Sequence, residues 1–177
     1  MSTKQMLFSG FGGQGILFAG KFIAYKGLME EKQVSWLPSY GPEMRGGTAS
    51  CSVIVSDEPV GSPIVSNPDI LIAMNLPSLD KFESSVVPGG MIFADSTLIE
   101  RKVARDDVKV FYIPATQLAS DNGIPTLANM IIVGKVLKEI GDYNEENITT
   151  ALKKVISPKR ADMLDINLKA MRIGAEN

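Results

Sequence analysis

Two stretches of this chain hold the residue types from which a binding site can be made. In Gly10-Phe11-Gly12-Gly13-Gln14-Gly15, the glycines at 10, 12 and 15 follow the spacing G-x-G-x-x-G. Such spacing lets the backbone turn tightly and approach a ligand, and a helix starting there presents unpaired N–H groups that favour an anion. The same glycines also let a helix pack closely on its strand, which is the plainer use of them. The second stretch, Ser39-Tyr40-Gly41-Pro42-Glu43-Met44-Arg45-Gly46-Gly47, has three glycines and a proline that specify its shape, and it offers Tyr40, Glu43 and Arg45. Arg45 can clamp a phosphate or carboxylate through its forked guanidinium, or pair with Glu43 and stiffen the turn.

The missing residue types narrow the chemistry. There is no histidine, and Cys51 is the single cysteine. The usual general base and the commonest metal ligand are therefore absent, and this chain alone cannot build an internal disulfide, a four-thiolate iron–sulfur cluster or a thiolate zinc site. No residue is assigned a catalytic proton transfer or a metal. Cys51, inside an expected strand, reads as a small core residue. A dinucleotide site places an acidic residue near the end of the second strand. Here that strand ends in Leu37-Pro38-Ser39-Tyr40, with Glu30 and Glu31 before it and Glu43 after it, which argues against NAD or FAD.

The elements that must position these loops follow from periodicity. Lys4 to Ser9 reads as a strand leading into the glycine loop, and Ile16 to Met29 as the helix after it. Further strands are expected at Gln33 to Leu37 (closed by Pro38), Thr48 to Ser56, Asp69 to Ala73, Gly90 to Asp95 and Lys109 to Ile113, with Val60 to Ile64 a candidate short return strand. Helices are expected near Leu76 to Ser84 and over Ala115 to Asp121, Thr126 to Ile140, Asn144 to Val155 and Ala161 to Ala175. The alternation predicts an α/β fold: a Rossmann-like, doubly wound, mostly parallel sheet in three layers with a helical C-terminal region, the insert between the second and fourth strands being open to an antiparallel placement. In that arrangement both loops lie at the carboxyl ends of the strands. Lys21 and Lys26 read as solvated, Asp95 as a helix cap or a group facing the site, Trp36 as core, and Met74 as a residue at an interface.

The 177 residues suit one domain. With 45% hydrophobic and 21% charged residues the mix is that of a globular protein, and a formal charge of -2 gives no field to attract nucleic acid. The most apolar stretch, Ile124 to Val136, contains Asn129 and Lys135 and is shorter than the ~20 residues of a membrane helix. The first residues lack the apolar core of a signal peptide. The expectation is a cytoplasmic protein that binds neither nucleic acid nor membrane.

Taken together, the glycine loop, the Tyr40 to Gly47 loop, Gly61-Ser62-Pro63, Pro68-Asp69 with Ala73-Met74-Asn75, and Gly123-Ile124-Pro125-Thr126 through Asn129, Gly134 and Lys135 resemble the gamma subunits of 2-oxoacid:ferredoxin oxidoreductases. The resemblance spans nearly the whole chain and looks most like the 2-oxoglutarate and branched-chain members. It implies a complex that oxidatively decarboxylates a 2-oxoacid, with 2-oxoglutarate favoured, to its acyl-coenzyme A, passing electrons to ferredoxin. It further implies thiamine diphosphate between alpha and beta subunits, iron–sulfur clusters in beta or delta chains, and a gamma chain that binds no cofactor by itself and is inactive when isolated. Gly10, Gly12, Gly13, Gln14 and Gly15, with Tyr40, Glu43, Arg45 and Gly46, match the family's two loops. They are expected at the interface with the alpha and beta chains near the coenzyme A entrance. An isolated gamma chain, lacking that interface, is expected to be prone to self-association. Two other classes stay open: a free-standing Rossmann-type dinucleotide-binding protein, and a scaffold.

Overall fold

The computed structural model describes residues 2–39 and 48–177. Six strands form one sheet: β1 (Thr3–Phe11), β2 (Gln33–Ser39), β3 (Thr48–Ser56), β4 (Ile70–Ala73), β5 (Met91–Asp95) and β6 (Lys109–Ile113), in the order β2-β3-β1-β4-β5-β6. The β1–β4, β4–β5 and β5–β6 pairs are parallel, whereas β3 runs antiparallel to both β1 and β2. The sheet is therefore mixed, and the third strand is the antiparallel insert. It returns between β1 and β2, so the first crossover, through α1 (Ile16–Met29), spans a strand that is added later in the chain.

Side chains alternate across this sheet as a period of two requires. Met6, Phe8, Cys51, Val53, Ile70, Ile72 and Phe93 point to one face. There they meet α1, α3 (Ala115–Asp121), α4 (Ala128–Glu139), α5 (Glu145–Val155) and α6 (Met163–Glu176) in the main core. Leu7, Leu71, Ala73, Ile92 and Ala94 point to the other face and are covered by α2 (Leu76–Phe82), a following 3-10 turn and the loops around Val86 and Ile99. The layers are three, and very unequal. The face formed by β3 and β2 on that second side carries Ser50, Ser52, Leu37 and Ser35, none of them buried.

Most expected elements form within a residue or two of the expected bounds. Pro38 does not close β2: the strand runs to Ser39, and because β2 is an edge strand a residue without an N–H is tolerated there. Val60 to Ile64 makes no strand. Pro59, Pro63 and Pro68 punctuate that segment and remove the donors a ladder needs. Lys26 is not solvated. It is 2% exposed and its ammonium lies 2.6 Å from Glu30 and 2.8 Å from Asp142, so the helix-side acid Glu30 is likewise a partner in an ion pair. Met74, 2% exposed, belongs to the core and not to a surface. Trp36 is partly exposed on the edge strand, its indole nitrogen packing over Gly20 of α1.

Candidate functional site

The glycine loop sits at the carboxyl end of β1, which carries the chain through Gly10 and Phe11 before turning. Its glycines do different work. A β-carbon on Gly10 would come within 2.5 Å of the Gln14 amide oxygen and 3.1 Å of Met74, and one on Gly15 within 2.4 Å of Asn129 Nδ2. Gly15 also has φ 73°, in the left-handed region where side chains are strained. These two positions are glycine for packing reasons. Gly12 and Gly13 have open space where a side chain would go, and Gly13 has φ 92°. The open side of the loop is thus the Gly12–Gly13 backbone.

Gln14 holds that shape. Its Oε1 accepts from the Phe11 N–H at 2.6 Å and its Nε2 donates to the Met74 carbonyl at 3.0 Å, so it ties the loop to itself and to the end of β4. From the other side Asn129, on α4, donates to the Gly15 carbonyl at 3.0 Å. The α1 helix starts with Gly15 as its N-cap and no side-chain cap, leaving its first turn to present N–H groups at the loop. This arrangement can receive an anion or a backbone carbonyl of another chain.

Tyr40, Glu43, Arg45 and Gly46 lie outside the described residues. The strands that flank them are described. Ser39 pairs with Ser50, which in turn pairs with Ser9, and Thr48 pairs with Phe11. The chain therefore leaves and re-enters the sheet on the edge that carries the glycine loop.

Other groups at this edge have structural duties. Asp95 is buried and accepts from the Thr97 N–H, the Thr116 N–H and, at 2.5 Å, the Thr116 hydroxyl, so it is the cap for the start of α3. Asn75 caps α2 by accepting from the Ser78 N–H at 2.8 Å. Sequence reasoning reached Gln14 and Asn129 only through the resemblance and missed the bonds they make, since Met74 and Gly15 lie 60 and 114 residues from them and no local pattern announces either contact. Phe11, the last residue of β1, and Leu76 and Leu98, just past the ends of β4 and β5, are 41%, 38% and 41% exposed and line this edge with unburied apolar surface.

Cys51 does not suit a cluster ligand. It is 1% exposed, contacts the Ile16 carbonyl through its sulfur, and burial pushes its thiol up to about 12, opposed weakly by the Trp36 indole. A thiolate is the ligand form, and this site disfavours it. Among the described residues no set of three His, Cys, Asp or Glu is placed to hold a metal ion, and no helix is long and apolar enough to cross a membrane.

Comparison with known proteins adds to this geometry. Ketoisovalerate oxidoreductase subunit VorA of Methanothermobacter thermautotrophicus is 41% identical over 170 residues, covering 95% of this chain but 35% of that protein, so the chain spans about a third of that relative's length. 2-Oxoglutarate synthase subunit KorC of Methanocaldococcus jannaschii is 34% identical over 176 residues, covering 98% of this chain and 92% of its own. Among solved structures, the keto/oxoacid ferredoxin oxidoreductase gamma subunit from Geobacter sulfurreducens PCA superimposes with a TM-score of 0.82 at 27% identity, over 98% of this chain and 96% of the other. The pattern of the pyruvate ferredoxin/flavodoxin oxidoreductase family matches residues 5–177, and the chain belongs to that family.

Proposed function

We propose that this chain, as a single domain, is the gamma component of a cytoplasmic 2-oxoacid:ferredoxin oxidoreductase. The complex decarboxylates a 2-oxoacid, joins the acyl group to coenzyme A and passes the electrons to ferredoxin. The observation that supports this reading is the 34% identity to a 2-oxoglutarate synthase subunit, over 98% of this chain and 92% of that one. On the same ground 2-oxoglutarate is the first substrate to test. Ketoisovalerate is the second, favoured by the higher identity of the VorA relative.

Within such a complex thiamine diphosphate and the iron–sulfur clusters belong to partner chains. This chain's contribution is a docking edge: Gly10 to Gly15 held by Gln14 and Asn129, the Tyr40 to Gly46 loop, and the exposed Phe11, Leu76 and Leu98. The apolar side chains and open loop backbone suit contact with the alpha and beta chains, and Arg45 suits a coenzyme A phosphate or a partner carboxylate.

The test is affinity isolation of the tagged chain from its native anaerobic extract, followed by assay of coenzyme A-dependent dye reduction with each 2-oxoacid. Recovery of a thiamine- and cluster-containing complex supports the reading, and the preferred acid identifies the substrate. A solitary, colourless chain stabilised by NAD or NADP would return the dinucleotide-binding alternative to first place. Arg45→Ala is expected to weaken assembly or to raise the coenzyme A concentration needed for half-maximal rate. Unchanged assembly together with unchanged coenzyme A dependence removes Arg45 from the site.

A further inference from the structure

The sheet ends in β2 on one side and β6 on the other, and these two edges are built differently. Cations guard β6. Lys109 stands in the strand, and the ammonium groups of Lys102 and Lys135 lie 4.0 Å and 5.7 Å from the ring centres of Tyr112 and Phe111. Charge of this kind is a common defence of an edge strand against pairing with another chain. β2 has no charged residue among its seven, and it leaves Trp36 and Leu37 36% and 39% exposed. Among the described residues no strand pairs with it on its outer side.

The ladder fixes which backbone groups face outward there. Just beyond the end of β3, the Asp57 N–H donates to the Ser2 carbonyl at 3.3 Å. Successive residues of an antiparallel strand bond to opposite sides, so the odd-numbered residues of β3 bond to β1 and the even-numbered ones to β2. Their partners on β2 are Gln33, Ser35, Leu37 and Ser39. The outward groups are therefore the N–H groups of Val34 and Trp36 and the carbonyls of Val34, Trp36 and Pro38. Set against a second copy by a two-fold axis at Trp36, this strand is its own complement. Trp36 exchanges both bonds with its mate, each Val34 N–H meets the other copy's Pro38 carbonyl, and every outward N–H finds an acceptor. The layer above is apolar too. A β-carbon on Gly20 would stand 3.3 Å from the Trp36 indole nitrogen and one on Gly27 3.0 Å from Val34, so α1 lies directly over β2. Leu17, Lys21 and Leu28 share one flank of α1, none of them buried, and its one charge, Lys21, holds its ammonium over the Tyr25 ring.

We infer that a second copy of this chain docks on β2, joining two six-stranded sheets into one across a two-fold axis at Trp36. Unpaired donors and acceptors along an edge call for a strand, and the outward groups of β2 match those of β2 itself. Pairing β2 with β6 of another copy would be heterologous and run on into a filament, whereas the two-fold contact closes. A strand about 23 Å long with a helix above it, together about 20 Å wide, gives a footprint of about 450 Å2 a side. That is the low end of specific interfaces, so the dimer depends on concentration. Because the axis reverses strand direction, the two glycine loops lie at opposite ends of the joined sheet and stay free for other subunits. The inference goes beyond the proposed role in a complex and does not depend on it.

Sedimentation equilibrium of the full chain tests this. The expected result is a reversible monomer–dimer equilibrium with a dissociation constant in the micromolar range. Leu37→Lys changes an exposed side chain that the axis brings within about 7–8 Å of its mate, and so sets like charges together. Val34→Pro deletes an outward N–H on each side of the axis and leaves the bonds to β3 intact. Each is expected to raise the dissociation constant about tenfold or more, with urea unfolding to show that the variant is folded. Phe11→Ser/Leu76→Ser, on the carboxyl edge, is expected to leave it unchanged. A chain that stays monomeric at millimolar concentration overturns the inference. So does a dimer that neither β2 substitution weakens, or one that the carboxyl-edge variant abolishes.

Discussion

The four glycines in the first loop that look alike in sequence are separated by what surrounds them. Gly15→Ala would place a β-carbon against Asn129 at a left-handed φ, whereas Gly12→Ala meets nothing within 4 Å. Urea unfolding should find Gly15→Ala destabilising by about 1–3 kcal/mol and Gly12→Ala within about 0.5 kcal/mol of the parent. If Gly12→Ala proves as damaging as Gly15→Ala, the open side of the loop has been misassigned. The spacing made the loop legible because it is local. Gln14's role was not legible, because Met74 is brought to it only by the pairing of β1 with β4. Cys51 yields a pH prediction. Its thiol stays protonated in the fold to about 12 but ionises near 9 in the unfolded chain, so the unfolded state alone loses the proton between those values. The stabilising contribution is complete below pH 9 and declines as pH rises towards 12. Stability of Cys51→Ala, although lower at neutral pH from lost packing, should therefore fall less steeply with pH across that window than that of the parent. Parallel slopes would show that the thiol does not supply the difference.

At the level of elements, the sequence speaks most clearly where an end is marked chemically. Asn144 accepts from the Asn147 N–H at 3.0 Å and begins α5, Gly141 with φ 72° follows α4, and Pro114 precedes α3. The strands were legible through alternation, and the antiparallel insertion of β3 only as an option, since pairing partners are not written locally. Least legible was the contact between α4 and α6. A β-carbon on Gly174 would stand 1.8 Å from the Ile131 carbonyl oxygen, and one on Gly134 would stand 2.1 Å from that of Met171. Both lie in helices, where glycine costs about 1 kcal/mol relative to alanine, so propensity alone would predict that alanine stabilises. The backbone-to-backbone approach predicts the reverse. Gly174→Ala should destabilise by about 1–3 kcal/mol by forcing the helices apart, as overpacked interiors do, and denaturant unfolding decides the sign.

Across the whole molecule, apolar surface that should be buried is unevenly placed. Leu28, Met29, Trp36 and Leu37 are exposed around the β2 side of the sheet, while Phe11, Leu76 and Leu98 are exposed along the carboxyl edge. The proposed docking role uses the second group, and this choice can be tested without knowing the partner residues. Phe11 is the last residue of β1 and Leu76 the first of a short helix, both with their side chains exposed, so replacing both with serine removes little that the isolated fold depends on. Surface changes of this kind usually alter stability by no more than about 0.5 kcal/mol each. Assembly should respond differently, since aromatic and large aliphatic anchors carry much of the energy of an interface. The Phe11→Ser/Leu76→Ser chain is expected to unfold within about 1 kcal/mol of the parent yet to recover little of its complex from anaerobic extract. Leu28→Ser, 54% exposed at the far end of α1, serves as the comparison and should recover the complex in full. If instead Leu28→Ser loses the partners and the double variant keeps them, the β2 side is the docking surface, and the glycine loop must face solvent or a small ligand.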